Sequence, residues 1–155
     1  MRLLLILSGL VLGAFLAPQR AVAQEACTGR PSPFRLFVIV ENIRSVQGLI
    51  AVTLYADDSS RFLAKRGSLY VGRVPAQSPV TRVCIHVPNP GTYALAVYHD
   101  ADGNRSFKRS GLGLPAEGYG FSNNAPALLG LPSFRAVRLA VPRTDMETRV
   151  KLRYP

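Results

Sequence analysis

Apolar positions open the chain as an almost unbroken run, residues 3–17, and only later give way to alternation with polar ones. From Arg35 a period of two sets in. Leu36, Val38 and Val40 share one side of an extended segment and Phe37 and Ile39 the other, which predicts a strand buried on both faces. After the turn-like Ser45-Val46-Gln47-Gly48, the β-branched and large apolar residues 49–55 predict a second strand, its hairpin partner. Residues 68–74 predict a shorter strand, with a helical turn in the polar stretch 57–67 before it. Residues 79–87 alternate clearly: Thr81, Val83, Ile85 and Val87 face one way, Val80, Arg82, Cys84 and His86 the other. Pro88-Asn89-Pro90-Gly91 then forces a turn, and residues 92–99 follow as a strand. Pro90-Gly91-x-Tyr93 has the form of a tyrosine corner, in which the hydroxyl bonds back to nearby backbone. Residues 134–141 and 148–154 supply two more strands, the last with Val150, Leu152 and Tyr154 inward and Arg149, Lys151 and Arg153 outward. The predicted class is all-β: an antiparallel β-sandwich of about seven strands, immunoglobulin-like or transthyretin-like, with one long ordered loop.

That loop, residues 99–132, shows neither periodicity and is too long for a structureless connection inside a compact domain. Phe107, Leu112, Leu114, Tyr119, Phe121, Leu128, Leu129 and Leu131 predict that it packs on itself as an Ω-like excursion at one end of the sandwich.

The opening run changes meaning once its flanks are read. Arg2, the apolar stretch and Ala21-Val22-Ala23 form a basic region, an apolar core and an A-x-A site, the pattern of a secretory signal peptide over residues 1–23, cleaved before Gln24. An uncleaved anchor is the alternative, but the run is short of the roughly 20 residues a span needs, so no integral membrane protein is expected. Gln24-Glu25-Ala26 before Cys27 is too polar for a lipoprotein signal. Residues 24–155 then fit one domain, secreted and placed in the periplasm. Losing Arg2 and Arg20 takes the basic count from 19 to 17 against 9 acids, a balance of +8. Such a charge favours anionic envelope components, lipid headgroups or polysaccharide. Export removes nucleic acid from consideration, and the scattered basic residues predict a solvated surface rather than a binding stripe.

The two cysteines, Cys27 and Cys84, would meet an oxidising compartment, so a disulfide is expected; a metal-binding or reactive thiol pair lacks the C-x-x-C spacing and neighbouring histidines it would need. Candidate chemistry gathers where the loop opens. Asp100, Asp102, Asn104 and Ser106 put oxygens at alternate positions, as calcium loops do, with Glu117 able to add a carboxylate from the far side. Arg105 and Gly111 stand where an EF-hand has its glycine and glutamate, so the loop is no EF-hand. The other reading is an Asp/Asn turn held by its own side-chain-to-backbone bonds. In the glycine-rich block 111–124, no helix or lysine follows to make a phosphate cradle. Glycines there serve turns with positive φ, Tyr119 and Phe121 anchor the loop, and Ser122, Asn123 and Asn124 bond its backbone. His99 beside Asp100 and Asp102 would suit a metal hydrolase only with a second histidine, His86, close in space.

Two stretches together resemble the DUF2141 family of exported bacterial proteins. They are Tyr93-Ala94-Leu95-Ala96-Val97-Tyr98-His99-Asp100 with Asp102 and Asn104, and residues 113–124 with Pro132-Ser133-Phe134 after them. The resemblance spans about residues 36–154 and implies no activity, since the family's function is unknown. This chain departs from it where Asn104-Arg105 and Lys108-Arg109 replace an Asn-Gly pair and a further acid, and those cations would repel a divalent ion. The expected function is a non-enzymatic binding or envelope-associated module. Its surface is the 99–132 loop, with His99, Asp100, Asp102, Asn104, Glu117, Tyr119, Phe121, Asn123 and Asn124 as ligand or loop-ordering residues. No cofactor is expected unless calcium sits on Asp100, Asp102, Asn104 and Glu117. The alternative is a metal-assisted hydrolase using His99, Asp100, Asp102 and Glu117.

Overall fold

The computed structural model describes residues 26–129 and 131–155; the leader expected over residues 1–23 lies outside the described residues. The strands are β1 (Phe34–Glu41), β2 (Leu49–Ala56), β3 (Tyr70–Pro75), β4 (Val80–Val87), β5 (Gly91–Asp100), β6 (Tyr119–Phe121), β7 (Ala127–Leu128), β8 (Leu131–Pro132), β9 (Leu139–Val141) and β10 (Met146–Lys151). A one-turn helix α1 (Phe134–Val137) and a 3-10 turn at Ser122–Asn124 complete the list. Sheet 1 has the order β10-β1-β4 and sheet 2 the order β3-β2-β5-β6, with β9 pairing the other half of the β5 edge.

Alternation explains why the two sheets meet. Leu36, Val38, Val40, Val83, Ile85, Val87 and Val150 from sheet 1 share one buried cluster with Ile50, Val52, Leu54, Leu95 and Val97 from sheet 2. The all-β sandwich class follows the pattern as expected, with one parallel pair, β1 with β10, among antiparallel ones.

Four expectations need correction. β2 is no hairpin partner of β1, because β4 and β10 occupy both edges of β1 and the chain crosses to sheet 2 through the buried Ile43. β1 is buried fully on one face and only in part on the other: Ile39 is covered, but Phe37 is half-buried beneath the guanidinium of Arg82, 3.9 Å above its ring. Of residues 134–141 the first four form α1, since Val137 packs with Phe134 and Ala136 into a second cluster around Tyr55 and Phe121; only residues 139–141 are strand. The long excursion contains β6, which pairs with Ala96, Val97 and Tyr98. Three residues are too few to register as alternation.

Both seams of the sandwich are closed. Cys27 bonds Cys84, and Thr28 pairs beside β4 through Thr28 N–H to the Cys84 carbonyl and His86 N–H to the Thr28 carbonyl, so the N-terminal segment runs along the edge of β4 rather than across the sheet's face. A loop of this length, closed covalently, stabilises by about 4 kcal/mol in the chain-entropy model. At the opposite seam Tyr119 of β6 exchanges both backbone bonds with Arg153, just past β10. The tyrosine corner forms as expected: buried Tyr93 donates its hydroxyl proton to the Asn89 carbonyl at 2.7 Å.

Candidate functional site

Strand β5 carries the chain past His99 to Asp100, which is fully buried at the point where the loop departs. Gly48 lets the neighbouring segment approach: its φ is +72°, and a Cβ there would lie 1.9 Å from the Asp100 carbonyl oxygen. The Asp100 carboxylate faces into the loop, Oδ1 accepting the Asn104 N–H at 3.1 Å and Oδ2 the Arg105 N–H at 2.8 Å. Asn104 is committed twice, its Nδ2 donating to Asp102 at 3.0 Å and its Oδ1 accepting the Ser106 N–H at 2.7 Å. Glu117 returns from the far side, buried, and accepts the Lys108 N–H at 2.9 Å. Asp100, Asp102 and Glu117 each bring one oxygen within 4.8 Å of the others.

Into this group the protein places its own cation. Lys108 Nζ lies 2.5 Å from Asp102 Oδ2. That contact holds the Asp102 carboxyl below the usual carboxylate range and raises the Lys108 ammonium, which Glu117 and Asp100 also favour. Glu117 moves the other way: burial raises its pKa most, the Lys108 N–H opposes, and the charges of Asp100 and Asp102 add to the rise. Three carboxylates at this spacing match a hard cation, but both oxygens of Asp100 already hold backbone N–H groups, Asp102 holds an ammonium, and the Asn104 oxygen is used locally.

His99 stands apart from the acids it precedes. Alternation turns it into the interior, 2 % exposed, with Nε2 on the Gln47 carbonyl at 2.8 Å and Nδ1 on the Tyr154 hydroxyl at 2.9 Å. Because a carbonyl only accepts, Nε2 carries the proton and Nδ1 accepts from Tyr154, whose oxygen in turn accepts the Arg44 N–H. His86 lies on the other sheet, opposite Arg35.

The S-N-N triplet ties the loop's return to its surroundings instead of bonding the loop's own backbone. Between the stretches of β5 that pair with β6 and β9, the Leu95 N–H would lack a strand partner; Ser122 Oγ accepts it at 3.0 Å and donates to the Val137 carbonyl. Asn123 donates to the Ala136 and Arg138 carbonyls, and Asn124 accepts the Lys151 N–H at 2.7 Å. Gly118 has a reason other than positive φ, since a Cβ there would lie 2.4 Å from the Tyr154 ring.

Tyr119 and Phe121 anchor the excursion as expected, and Phe107 joins them, but the leucines do not pack. Leu112 and Leu128 are 88 % and 82 % exposed, and Leu129 and Leu131 also face solvent. Leu112 sits on the turn of a short hairpin closed by Ser110 and Leu114, while Leu128 and Leu131 pair at the end of the β7–β8 hairpin with Leu129 beside them, and among the described residues no second sheet faces them. Leu114 and Leu129 border one depression with Tyr154, which also borders a cationic depression holding Arg44, Lys151 and Arg153. Sequence reasoning passed over Arg44 and Lys151 as parts of a site because they come from opposite ends of the chain.

Fold and site together define a β-sandwich whose one end is a loop anchored by buried carboxylates. The chain belongs to the DUF2141 family, described as an uncharacterized protein conserved in bacteria, whose model matches residues 38–150. No curated protein matches it, and no solved structure does.

Proposed function

We propose that the protein is exported and acts in the envelope as a non-enzymatic binding module, docking on an anionic lipid surface through its 101–132 stretch. The observation that carries this reading is the juxtaposition of exposed leucines with a cationic depression, on a stretch whose base is held by Asp100, Glu117 and Ser122. Leucine side chains at hairpin tips insert, and flanking cations each add about 1 kcal/mol near an anionic surface. Among the described residues Arg44, Lys151 and Arg153 make no ion pair with a carboxylate. No described helix is long and apolar enough to cross a membrane, so the attachment would be peripheral. The non-enzymatic part is supported by His99, whose ring nitrogens are both engaged in the interior, leaving the acids without a histidine partner.

Co-sedimentation with vesicles tests it. The protein is expected to pellet with phosphatidylglycerol vesicles and to stay in solution with phosphatidylcholine, releasing as salt rises. Replacing Leu128 and Leu129 together by Ser should weaken pelleting without lowering the melting temperature. Equal behaviour with both lipids at low salt would overturn the reading.

A further inference from the structure

Between the 57–67 turn and the 101–110 loop, the outer face of sheet 2 stays open as a slot of about 120 Å³. Register explains the hollow. Thr53, Ala96 and Phe121 stand in one row across β2, β5 and β6, and the two small side chains leave the middle of that row low. The next row holds Tyr98 opposite Tyr119. Around the hollow the rings run in continuous contact: Tyr98 to Phe107 at 5.4 Å, Phe107 to Tyr119 at 6.3 Å, Tyr119 to Phe121 at 6.0 Å, Phe121 to Phe62 at 6.2 Å and Phe62 to Tyr55 at 5.1 Å. Each pair meets edge to face, the arrangement in which aromatic rings hold one another in place. The slot is therefore walled by Tyr55, Tyr98, Phe107, Tyr119 and Phe121, with Phe62 linking two of them from outside the lining, and their positions are mutually fixed.

The charged lining residue is Arg109. Its guanidinium lies 5.2 Å from the centre of the Phe107 ring and donates to the Gly113 carbonyl at 2.9 Å, and among the described residues no carboxylate pairs with it. No acidic residue lines the slot. An aromatic enclosure can attract cations, but Arg109 at this one repels them. A sugar would set several hydroxyls against walls with few partners, at a desolvation cost, and a long acyl chain exceeds the volume. An enclosed cavity of about 150 Å³ accepts benzene; the slot is somewhat smaller but open to solvent, so a single ring fits with one edge and its substituent outside.

We propose that the slot binds a compact ring-bearing carboxylate, the ring seated over Thr53 and Ala96 and the carboxylate on Arg109. The slot shares Tyr119 with the depression that Leu114 and Leu129 border and takes Arg109 from the hairpin that carries Leu112, but it faces a free ligand rather than a lipid surface, so its failure and that of envelope docking are distinguishable.

Amide shifts in the oxidised full chain, titrated with benzoate and with benzyl alcohol as its neutral counterpart, test the assignment. Benzoate is expected to move the Thr53, Ala96 and Tyr119 amides along a saturating curve, and benzyl alcohol to bind roughly tenfold more weakly, for want of the charge-assisted bond. Arg109→Gln, at an exposed position, should bring benzoate down to the level of benzyl alcohol. Ala96→Leu should fill the slot and abolish both, with the melting temperature showing that the fold is kept. Absence of shifts at these amides with millimolar benzoate would overturn the site, and Arg109→Gln leaving benzoate binding unchanged would overturn the carboxylate assignment.

Discussion

Glu41, Asp145 and Glu147 on the outer face of sheet 1, and Asp100 and Glu117 at the base of the loop, are the same chemistry in two settings. On sheet 1, Glu41 meets Arg149 at 2.7 Å, Glu147 meets Arg149 at 3.1 Å and Arg82 at 3.3 Å, and Asp145 meets Arg35 at 2.6 Å. Every partner there is a long side chain standing in solvent, which gives up conformational freedom to hold the pair and gains little from it in a high dielectric. At the loop the acceptors are buried and the donors are backbone N–H groups, already positioned by the chain. Hydrogen bonds to a charged acceptor are stronger, and here the acceptors are buried while the residues that donate to them lie at the surface. The contrast teaches that the protein's acids are structural where they meet backbone and replaceable where they meet arginine.

Replacing one acid from each setting should break the symmetry of type and show the difference of place. Asp100→Ala takes the acceptor from the Arg105 N–H and leaves the Asn104 N–H only its 3.4 Å bond to Asp102; at about 1.5–3 kcal/mol for a hydrogen bond to a charged group it should cost roughly 2–4 kcal/mol. Glu147→Ala removes only exposed pairs and should cost less than about 1 kcal/mol. Urea denaturation of both variants reads the two values, and limited proteolysis between residues 101 and 118 should accelerate for Asp100→Ala alone. Similar losses in the two variants would erase the distinction.

A smaller effect separates the buried acids from each other. Burial raises the Glu117 pKa above its ordinary 4.5, so the folded state keeps that proton to a higher pH than the unfolded state does. The sign follows: the contribution is present below pH 4.5 and is lost as pH rises through the folded-state value. Glu117→Gln retains an oxygen for the Lys108 N–H without the charge. Its stability relative to the parent should therefore rise as pH climbs from 4.5 through the folded-state value. A difference that stays flat over this window would mean that the carboxylate is as well solvated as it is in the unfolded chain.

How much of this was legible in the sequence depends on the range of the interaction. Alternation placed Val83, Ile85 and Val150 in the core, because a period of two survives whatever lies opposite. Pro90-Gly91-x-Tyr93 specified its corner since donor and acceptor are four residues apart. The oxygen spacing of Asp100, Asp102 and Asn104 located the loop's base, yet it left open whether metal or backbone would receive those oxygens. Lys108 bears on that question, and its reach to Asp102 depends on a fold of the loop that no local pattern encodes. The crossing from β1 to β2 was hidden for a similar reason. A turn-like Ser-Val-Gln-Gly sequence fits a hairpin as well as a passage between sheets, and only the competition of β4 and β10 for the edges of β1 decides. The slot over Ala96 was invisible because its walls come from strands and loops that meet only in the assembled sheet.

The smallest expected effect is none at all, and it bears on what holds the acidic base together. If a calcium ion linked Asp100, Asp102 and Glu117, chelator would lower the melting temperature and added calcium would restore it, by mass action on the folded state. The arrangement of Lys108 leads to the opposite expectation. Its ammonium already sits on Asp102, so a divalent ion would have to displace it and then face its charge nearby. Chelator and calcium should therefore leave the parent's melting temperature unchanged. Lys108→Gln removes the internal cation and leaves three acids within reach of one another, and in that variant calcium should raise the melting temperature. A calcium-dependent shift in the parent protein would show that Lys108 yields its place to metal, and that the base of the loop is a cation site before it is a hydrogen-bonded turn.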